Sequence, residues 1–398
     1  MYLYILQNNS EKLLKRLGAD HLKAALPANE ARKIKLAASG LAFMNLVLRG
    51  LQKLLYKKIK DPKKILVFRT GSLGDSVCAT PALQLIRTHY PGAHISLLSN
   101  AGGKSLVSPE NVIDPGLYND MIDYLGLSLR HLLQLLRKQK FDMVIQLPQV
   151  EAPFLRLIRD IFFLRMVAPA GWGWKTSRIL LFRKQLEKYV FYPNEAQRLL
   201  WICSDNGLEA TDTAFRLNFT NEDQQIVNDY FNAQSLDGKQ VIAIAVGANS
   251  VKNRWPIKYF AEVINHFRVS NPVLLVGGPE DNALVEPFVK LPGVYNCCGI
   301  FTPMQSALLI KKSSLAITND TGPLHLSYAV GTPLIGLFAA RDFYGKWFPP
   351  LQSVHRVFRT PDVACSLCFF KPCDDNICMK AILPGTVIKA AEELIESE

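Results

Sequence analysis

The sequence predicts an α/β protein built from two parallel sheets, each covered by helices on both faces. The first observation is a strand, a glycine loop and a helix in direct succession over 65–90. The second is another such corner over 314–330, roughly 250 residues further along, which is too far for a single βαβ unit. The third is an alternation of strand and helix patterns that restarts at 241. Two units in tandem imply a ligand cleft between them.

Short apolar runs bounded by turn residues predict the strands, and apolar residues at helical spacing predict the helices. The strands fall at 65–68, 94–98, 142–147, 241–246, 272–276, 315–317 and 334–338, and the helices at 76–90, 127–140, 256–267, after 279 and at 321–330. Residues 1–30 predict a short polar helix pair, and 31–60 predict a longer helix. The expected division is a helical extension (1–61), a first domain (62–220) and a second domain (221–398).

The positive charge is concentrated at the start of the chain. Residues 1–64 hold fourteen lysines and arginines against four acidic residues, so +10 of the net +12 lies there and the remaining chain carries +2. A near-neutral body argues against nucleic acid as a partner. We expect the basic, apolar helix within 31–64 to lie on an anionic membrane surface, because its apolar run of about thirteen residues is too short to span a bilayer. Packing on the protein's own surface is an equal alternative.

The eight cysteines do not form the pattern of a secreted disulfide framework in a chain of 398 residues. The first residues lack the features of a signal peptide. We therefore expect a cytoplasmic protein, peripheral on the inner face of the membrane. Four cysteines, Cys365, Cys368, Cys373 and Cys378, follow C-x2-C-x4-C-x4-C spacing. A structural zinc site is the weaker interpretation of this segment, packed or redox-active thiols are favoured, and no catalytic metal is expected.

The loop after the first predicted strand carries the candidate catalytic carboxylate. Asp75 lies at a helix start near the carboxyl end of the sheet, where it can take a proton from an attacking hydroxyl group. Capping of the helix is the competing role, and it would make the carboxylate a weaker base. Four more candidate binding residues belong to this loop: Arg69, Gly71, Ser72 and Gly74.

Two loops in the second half predict contacts to a nucleotide. Lys252 and Arg254 place positive charge beside the helix that starts at Pro256, which suits a diphosphate leaving group. Glu280 follows a glycine pair at a strand end, where an acid can accept hydrogen bonds from ribose hydroxyls. The alternative for Lys252 and Arg254 is that they are ordinary solvated cations, and the alternative for the Glu280 loop is a tight turn.

A third loop, 318–325, opens a predicted helix. Asp320 or Thr321 is expected to cap that helix, which leaves free N–H groups at Thr321 and Gly322 for phosphate. His325 on the first turn is a phosphate contact or a core histidine. The helix is expected to end at Gly331.

Several common motifs are absent from the sequence. It has neither the G-x-x-x-x-G-K-[ST] loop of P-loop proteins nor the G-x-G-x-x-G loop of nicotinamide enzymes. It has no Asp-x-Asp pair to hold a divalent ion. Cations and helix dipoles would therefore have to stabilise a leaving diphosphate.

Four segments together resemble the successive motifs of glycosyltransferase family 9, the heptosyltransferases. They are FRTGSLGDSVCATPALQLIRTHYPGAHISLL, KNRWPIKYFAEVI, LLVGGPED and TNDTGPLHLSYAVGTPLIGLF, and the resemblance covers about 63–395. It implies a GT-B fold, in which the first of two Rossmann-like domains binds the acceptor and the second binds the donor. It also implies metal-independent, inverting transfer of heptose from an ADP-sugar to the lipopolysaccharide core, with no cofactor.

The resemblance assigns roles residue by residue. Asp75 corresponds to the general base, the 320–325 loop to the donor-phosphate site and Glu280 to the ribose-binding acid. The family usually has lysine where this chain has Asn253, so Lys252 or Arg254 is expected to substitute. The alternatives are a GT-B sugar-nucleotide epimerase and a catalytically degenerate protein that binds a nucleotide sugar or glycolipid.

Overall fold

The computed structural model describes residues 4–5, 28–100, 107–150, 152–176, 190–209, 214–350, 354–360, 363, 365–369 and 372–396. Most of the helix pair predicted for 1–30 lies outside these residues. Within it, Tyr4–Ile5 forms a two-residue strand (β1), so the helix prediction is wrong there. The longer helix is confirmed as α1 (Ala28–Leu55).

The first sheet has five parallel strands in the order β4-β3-β2-β5-β6. They are β2 (Lys64–Phe68), β3 (His94–Ser99), β4 (Asp120–Asp123), β5 (Met143–Gln146) and β6 (Ala170–Trp172). The helices of this half are α2 (Leu73–His89), α3 (Leu129–Gln139), α4 (Phe154–Arg165) and α5 (Glu195–Ser204). The short strand β7 (Val190–Phe191) pairs antiparallel with β1. The sequence patterns missed β4, α4, β6 and α5.

The second sheet has six parallel strands in the order β10-β9-β8-β11-β12-β13. They are β8 (Ile242–Ala245), β9 (Val273–Leu275), β10 (Val294–Asn296), β11 (Leu315–Asn319), β12 (Leu334–Phe338) and β13 (His355–Arg359). The helices are α6 (Asn221–Ala233), α7 (Ile257–Phe267), α8 (Asn282–Val285), α9 (Pro303–Lys311), α10 (Gly322–Ala329), α11 (Ile377–Lys380) and α12 (Pro384–Glu396). A 3-10 turn at Pro279–Asp281 precedes α8, so the helix predicted after 279 is a short one.

The strand order explains where the predicted loops lie. Each sheet reverses its direction of strand addition at one point, between β2 and β5 in the first and between β8 and β11 in the second. Open α/β sheets bind ligands in the crevice at the carboxyl end of such a point. The loops after β2, β8 and β11 hold most of the candidate site residues, so the topology brings them to the two crevices.

Close packing joins the two halves. Helix α2 packs against α5 on one side and against α10 of the second half on the other. Val77 and Cys78 of α2 are buried in the same apolar cluster as Leu324 and Leu326 of α10. The two crevices therefore face each other across a continuous contact.

Helix α1 lies on the outside of the first half. Its Leu48 is fully buried, and the helix packs against α4. Just beyond the end of α1, the Tyr56 hydroxyl donates to the Ile161 carbonyl at 2.6 Å. No described helix combines the length and the apolar character that crossing a bilayer would require.

Candidate active site

A cleft of about 830 Å³ is lined by loops from both sheets. Eight of the predicted site residues line it: Ser72, Gly74, Asp75, Glu280, Asp320, Thr321, Gly322 and His325. Arg69 and Gly71 are not part of this lining, but Arg69 forms an ion pair with Asp75. Lys252 and Arg254 do not line the cleft.

Helix capping and exposure to the cleft coexist at Asp75. The helix begins at Leu73 rather than at the predicted residue 76, because Ser72 occupies the capping position. Asp75 is therefore in the first turn, where one carboxylate oxygen accepts hydrogen bonds from the Ser72 backbone N–H at 2.9 Å and from its hydroxyl at 3.1 Å. Glycine at position 71 allows the chain to fold back here. Its φ is +148°, and a Cβ added at this position would lie 2.2 Å from the Cβ of Asp75.

The other carboxylate oxygen of Asp75 faces a buried arginine. Nη2 of Arg69 lies 2.9 Å from Oδ1 of Asp75 and 3.0 Å from Oε1 of Glu195. Burial raises the pKa of Asp75, and the Arg69 guanidinium and the Ser72 N–H only partly offset that effect. A carboxylate with a raised pKa is a better proton acceptor than a free aspartate.

Sequence reasoning missed Glu195, which belongs to the buried ion-pair network beside Asp75. Burial opposes its ionisation, but Arg198, whose Nε lies 2.6 Å from Oε2, acts together with Arg69 and Lys346 to lower the pKa of Glu195. Glu195 therefore stays charged and holds Arg69 beside Asp75. The sequence contains one signal for this helix start and ion pair. Asn194 is a helix-capping residue, and it is followed by Glu195 and Arg198, an acid and a base three positions apart.

His325 is buried, as expected of a core histidine, and it also lines the cleft, so its contact with phosphate stays a prediction. Its Nδ1 lies 2.7 Å from the Tyr328 hydroxyl, which in turn lies 3.1 Å from Sγ of Cys78. Burial lowers the pKa of His325 to about 4, with only weak opposition from Glu195. The imidazole is therefore neutral near pH 7, and its other edge faces Gly74.

Asn319 ties the loops of the second sheet together. This buried amide donates to the Val246 carbonyl at 2.9 Å and accepts from the Trp255 N–H at 3.0 Å. Next to it, Nδ2 of Asn253 donates to the Asp320 carbonyl at 3.0 Å. These bonds fix the loops after β8 and β11 in one arrangement.

The comparisons with known proteins agree with this geometry. The profile of glycosyltransferase family 9 (heptosyltransferase) matches residues 129–377, which is more than half of the chain. The chain belongs to glycosyltransferase family 9. Lipooligosaccharide heptosyltransferase 2 of Campylobacter jejuni is 25% identical over 357 residues, covering 84% of this chain and 99% of that protein.

Two solved structures show the same fold as this family 9 glycosyltransferase. A glycosyl transferase family 9 protein from Veillonella parvula aligns with a TM-score of 0.64 at 23% identity, covering 85% of this chain and 99% of that one. The ADP-heptose lps heptosyltransferase II of E. coli aligns with a TM-score of 0.60 at 20% identity, covering 84% and 99%. The predicted GT-B fold is confirmed.

The loop after β11 of this glycosyltransferase departs from the capping prediction. Thr321 occupies the capping position of α10, but neither its side chain nor that of Asp320 caps the helix. The first-turn N–H groups of a helix have no partners within the helix, so Gly322 presents an unused donor at the cleft. Burial and Asp342 raise the pKa of Asp320 to about 7, and Arg341 and Lys346 act in the opposite direction.

The cysteine-rich segment lies beside the second sheet. All four of its cysteines are described and are free thiols. Among the residues that the structure describes, no group of three or more histidine, cysteine or acidic side chains is placed to hold a metal ion. Burial, together with the neighbouring thiols, raises the pKa of Cys378.

Proposed function

We propose that this enzyme transfers a heptose from an ADP-sugar to a lipopolysaccharide or lipooligosaccharide core. The observation that carries the proposal is that Asp75 and the 320–325 loop line one cleft from opposite halves. The relatives from Campylobacter and E. coli, a lipooligosaccharide heptosyltransferase and an ADP-heptose lps heptosyltransferase, support the sugar, the donor and the acceptor class.

The presence of a carboxylate and a helix start in one cleft supports an inverting mechanism. Asp75 takes the proton of the acceptor hydroxyl as that oxygen attacks the anomeric carbon from the face opposite the diphosphate. The N–H groups at the start of α10 receive the negative charge of the leaving diphosphate. Glu280 at the other end of the cleft accepts hydrogen bonds from the ribose. No divalent metal takes part in this scheme.

Transfer from ADP-heptose to a purified core acceptor, in buffer containing EDTA, tests the proposal. We expect turnover with inverted anomeric configuration, and a fall of about 10³-fold in kcat for Asp75→Asn. Asp374→Asn, which removes an exposed acid outside the cleft lining, is the matched control. Sugar release or epimerisation without acceptor would favour the epimerase, and nucleotide-sugar binding without turnover would favour a degenerate binding protein.

We also propose that α1 holds the enzyme on the cytoplasmic face of the membrane. Leu36, Phe43 and Leu54 fall on one stripe of the helix and are 69%, 66% and 80% exposed, while Leu48 packs against the body. Exposed basic residues such as Lys53 flank the stripe. An apolar stripe bordered by positive charge suits an anionic lipid surface.

Cosedimentation with vesicles of phosphatidylglycerol and phosphatidylcholine tests this anchor. Replacing Leu36, Phe43 and Leu54 together by serine should release the protein from the vesicles. Val269→Ser, which removes an equally exposed apolar side chain elsewhere, should leave binding unchanged. Undiminished binding by the triple variant would refute the anchor.

A further inference from the structure

Arg341 brings a guanidinium into the cleft from a segment outside all the motifs of the sequence. It follows β12, the neighbour of β11, and therefore emerges at the carboxyl edge of the second sheet. Its Nη1 lies 2.8 Å from the Ser250 hydroxyl, and both residues line the cleft. Its backbone carbonyl accepts a hydrogen bond from the Phe369 N–H at 2.9 Å, which fixes the segment.

Lys252 and Arg254, the two cations predicted to bind the diphosphate, form hydrogen bonds to backbone carbonyl groups instead. Nζ of Lys252 lies 3.4 Å from the Phe369 carbonyl. Nε of Arg254 donates to the Ala248 carbonyl at 2.9 Å. Asn253 between them does line the cleft, but it is neutral and its amide bonds to Asp320.

The donor end of the cleft therefore needs a positive charge. A diphosphate carries at least two negative charges, and the carboxylate of Asp320 lies beside the helix start that would receive it. The partial charge at the start of α10 is about half an elementary charge. A planar guanidinium can donate two parallel hydrogen bonds to phosphate oxygens.

We propose that Arg341 is the diphosphate-binding cation of this enzyme and replaces, from the segment after β12, the positive charge missing at Asn253. This inference rests on the proposed function, because it takes the ligand to be a nucleoside diphosphate sugar. It assigns a role in donor binding to a residue beyond β12, with Ser250 as its positioning partner.

Calorimetric titration of the full chain with ADP and with adenosine tests the assignment. Arg341→Met should weaken ADP binding about 10- to 100-fold and leave adenosine binding within about twofold. Arg341→Lys should recover part of the loss. Lys311→Met, which removes an exposed lysine outside the cleft lining, is the matched control and should bind ADP within about threefold of the unaltered enzyme. Adding Asn253→Lys to Arg341→Met should restore ADP binding, because a cation then returns to the same end of the cleft.

Two results would overturn the inference. One is unchanged ADP binding by Arg341→Met, and the other is an equal loss of ADP and adenosine binding by a variant that still unfolds at the normal temperature. Other results would refute the proposed function independently of the role of Arg341. If ADP binding depends on Arg341 but no sugar is transferred, the arginine's role stands and the transferase assignment falls. If the unaltered chain binds neither ADP nor GDP nor UDP, both fall.

Discussion

Gly74→Ala tests whether the two halves meet as closely as the structure places them. A Cβ at residue 74 would lie 2.5 Å from Cδ2 and 2.7 Å from Nε2 of His325. Ordinary carbon contacts are about 3.5–4.0 Å, so the added methyl group must push the imidazole or helix α2 by about 1 Å. The imidazole cannot yield easily, because it is buried and bonded to Tyr328.

A displacement of that size should reduce catalysis more than folding. Misplacement of reacting groups by about 1 Å can cost about 10²-fold in rate, whereas overpacking costs about 1–3 kcal/mol of stability. We expect kcat/KM to fall about 100-fold and the unfolding temperature to fall by only a few degrees. Gly385→Ala is the control, since a Cβ there meets nothing within 4 Å. If kcat/KM of Gly74→Ala stays within about twofold of the unaltered enzyme, the close approach does not exist in the working enzyme.

Three further predictions concern charge and proton positions. Glu195 raises the pKa of Asp75, so Glu195→Gln should move the rising limb of the kcat/KM profile to lower pH, and a shift to higher pH would contradict the network. Because the pKa of Asp320 is about 7, its ionisation as pH rises through 7 should weaken ADP binding by up to about tenfold per pH unit, and this slope should vanish in Asp320→Asn. Tyr328→Phe should change the ¹⁵N chemical shifts of the His325 ring and lower kcat about tenfold; unaltered shifts would show that the hydroxyl does not fix the ring.

The sequence contained enough to predict the strand ends that carry the chemistry. Apolar runs followed by glycine and a carboxylate mark the loops after β2 and β11, because few other residues permit that backbone next to a ligand. Gly331 likewise ends α10 with φ +82°, as predicted. These features are local, so the chain itself encodes them.

The features that sequence reasoning missed depend on tertiary packing. Arg341 has no glycine or spacing signal, and it reaches the cleft only because β12 pairs with β11. Lys252 and Asn253 are neighbours in the 3-10 turn Val251–Asn253, where consecutive side chains point in different directions. Spacing along the chain cannot tell which of the two faces the ligand.

The surroundings of Asp75, the proposed general base, also depend on contact between the two halves. Glu195, which holds Arg69 beside Asp75, donates its backbone N–H to the Lys346 carbonyl of the second half at 3.0 Å. Lys346 is itself buried and pairs with Asp342 at 2.7 Å. Separating the halves would expose these buried charges to water, where the attraction within each ion pair is much weaker. Burial raises the pKa of Asp75, and the hydrogen bond from Glu195 to Lys346 ties the charges around this carboxylate to the second half.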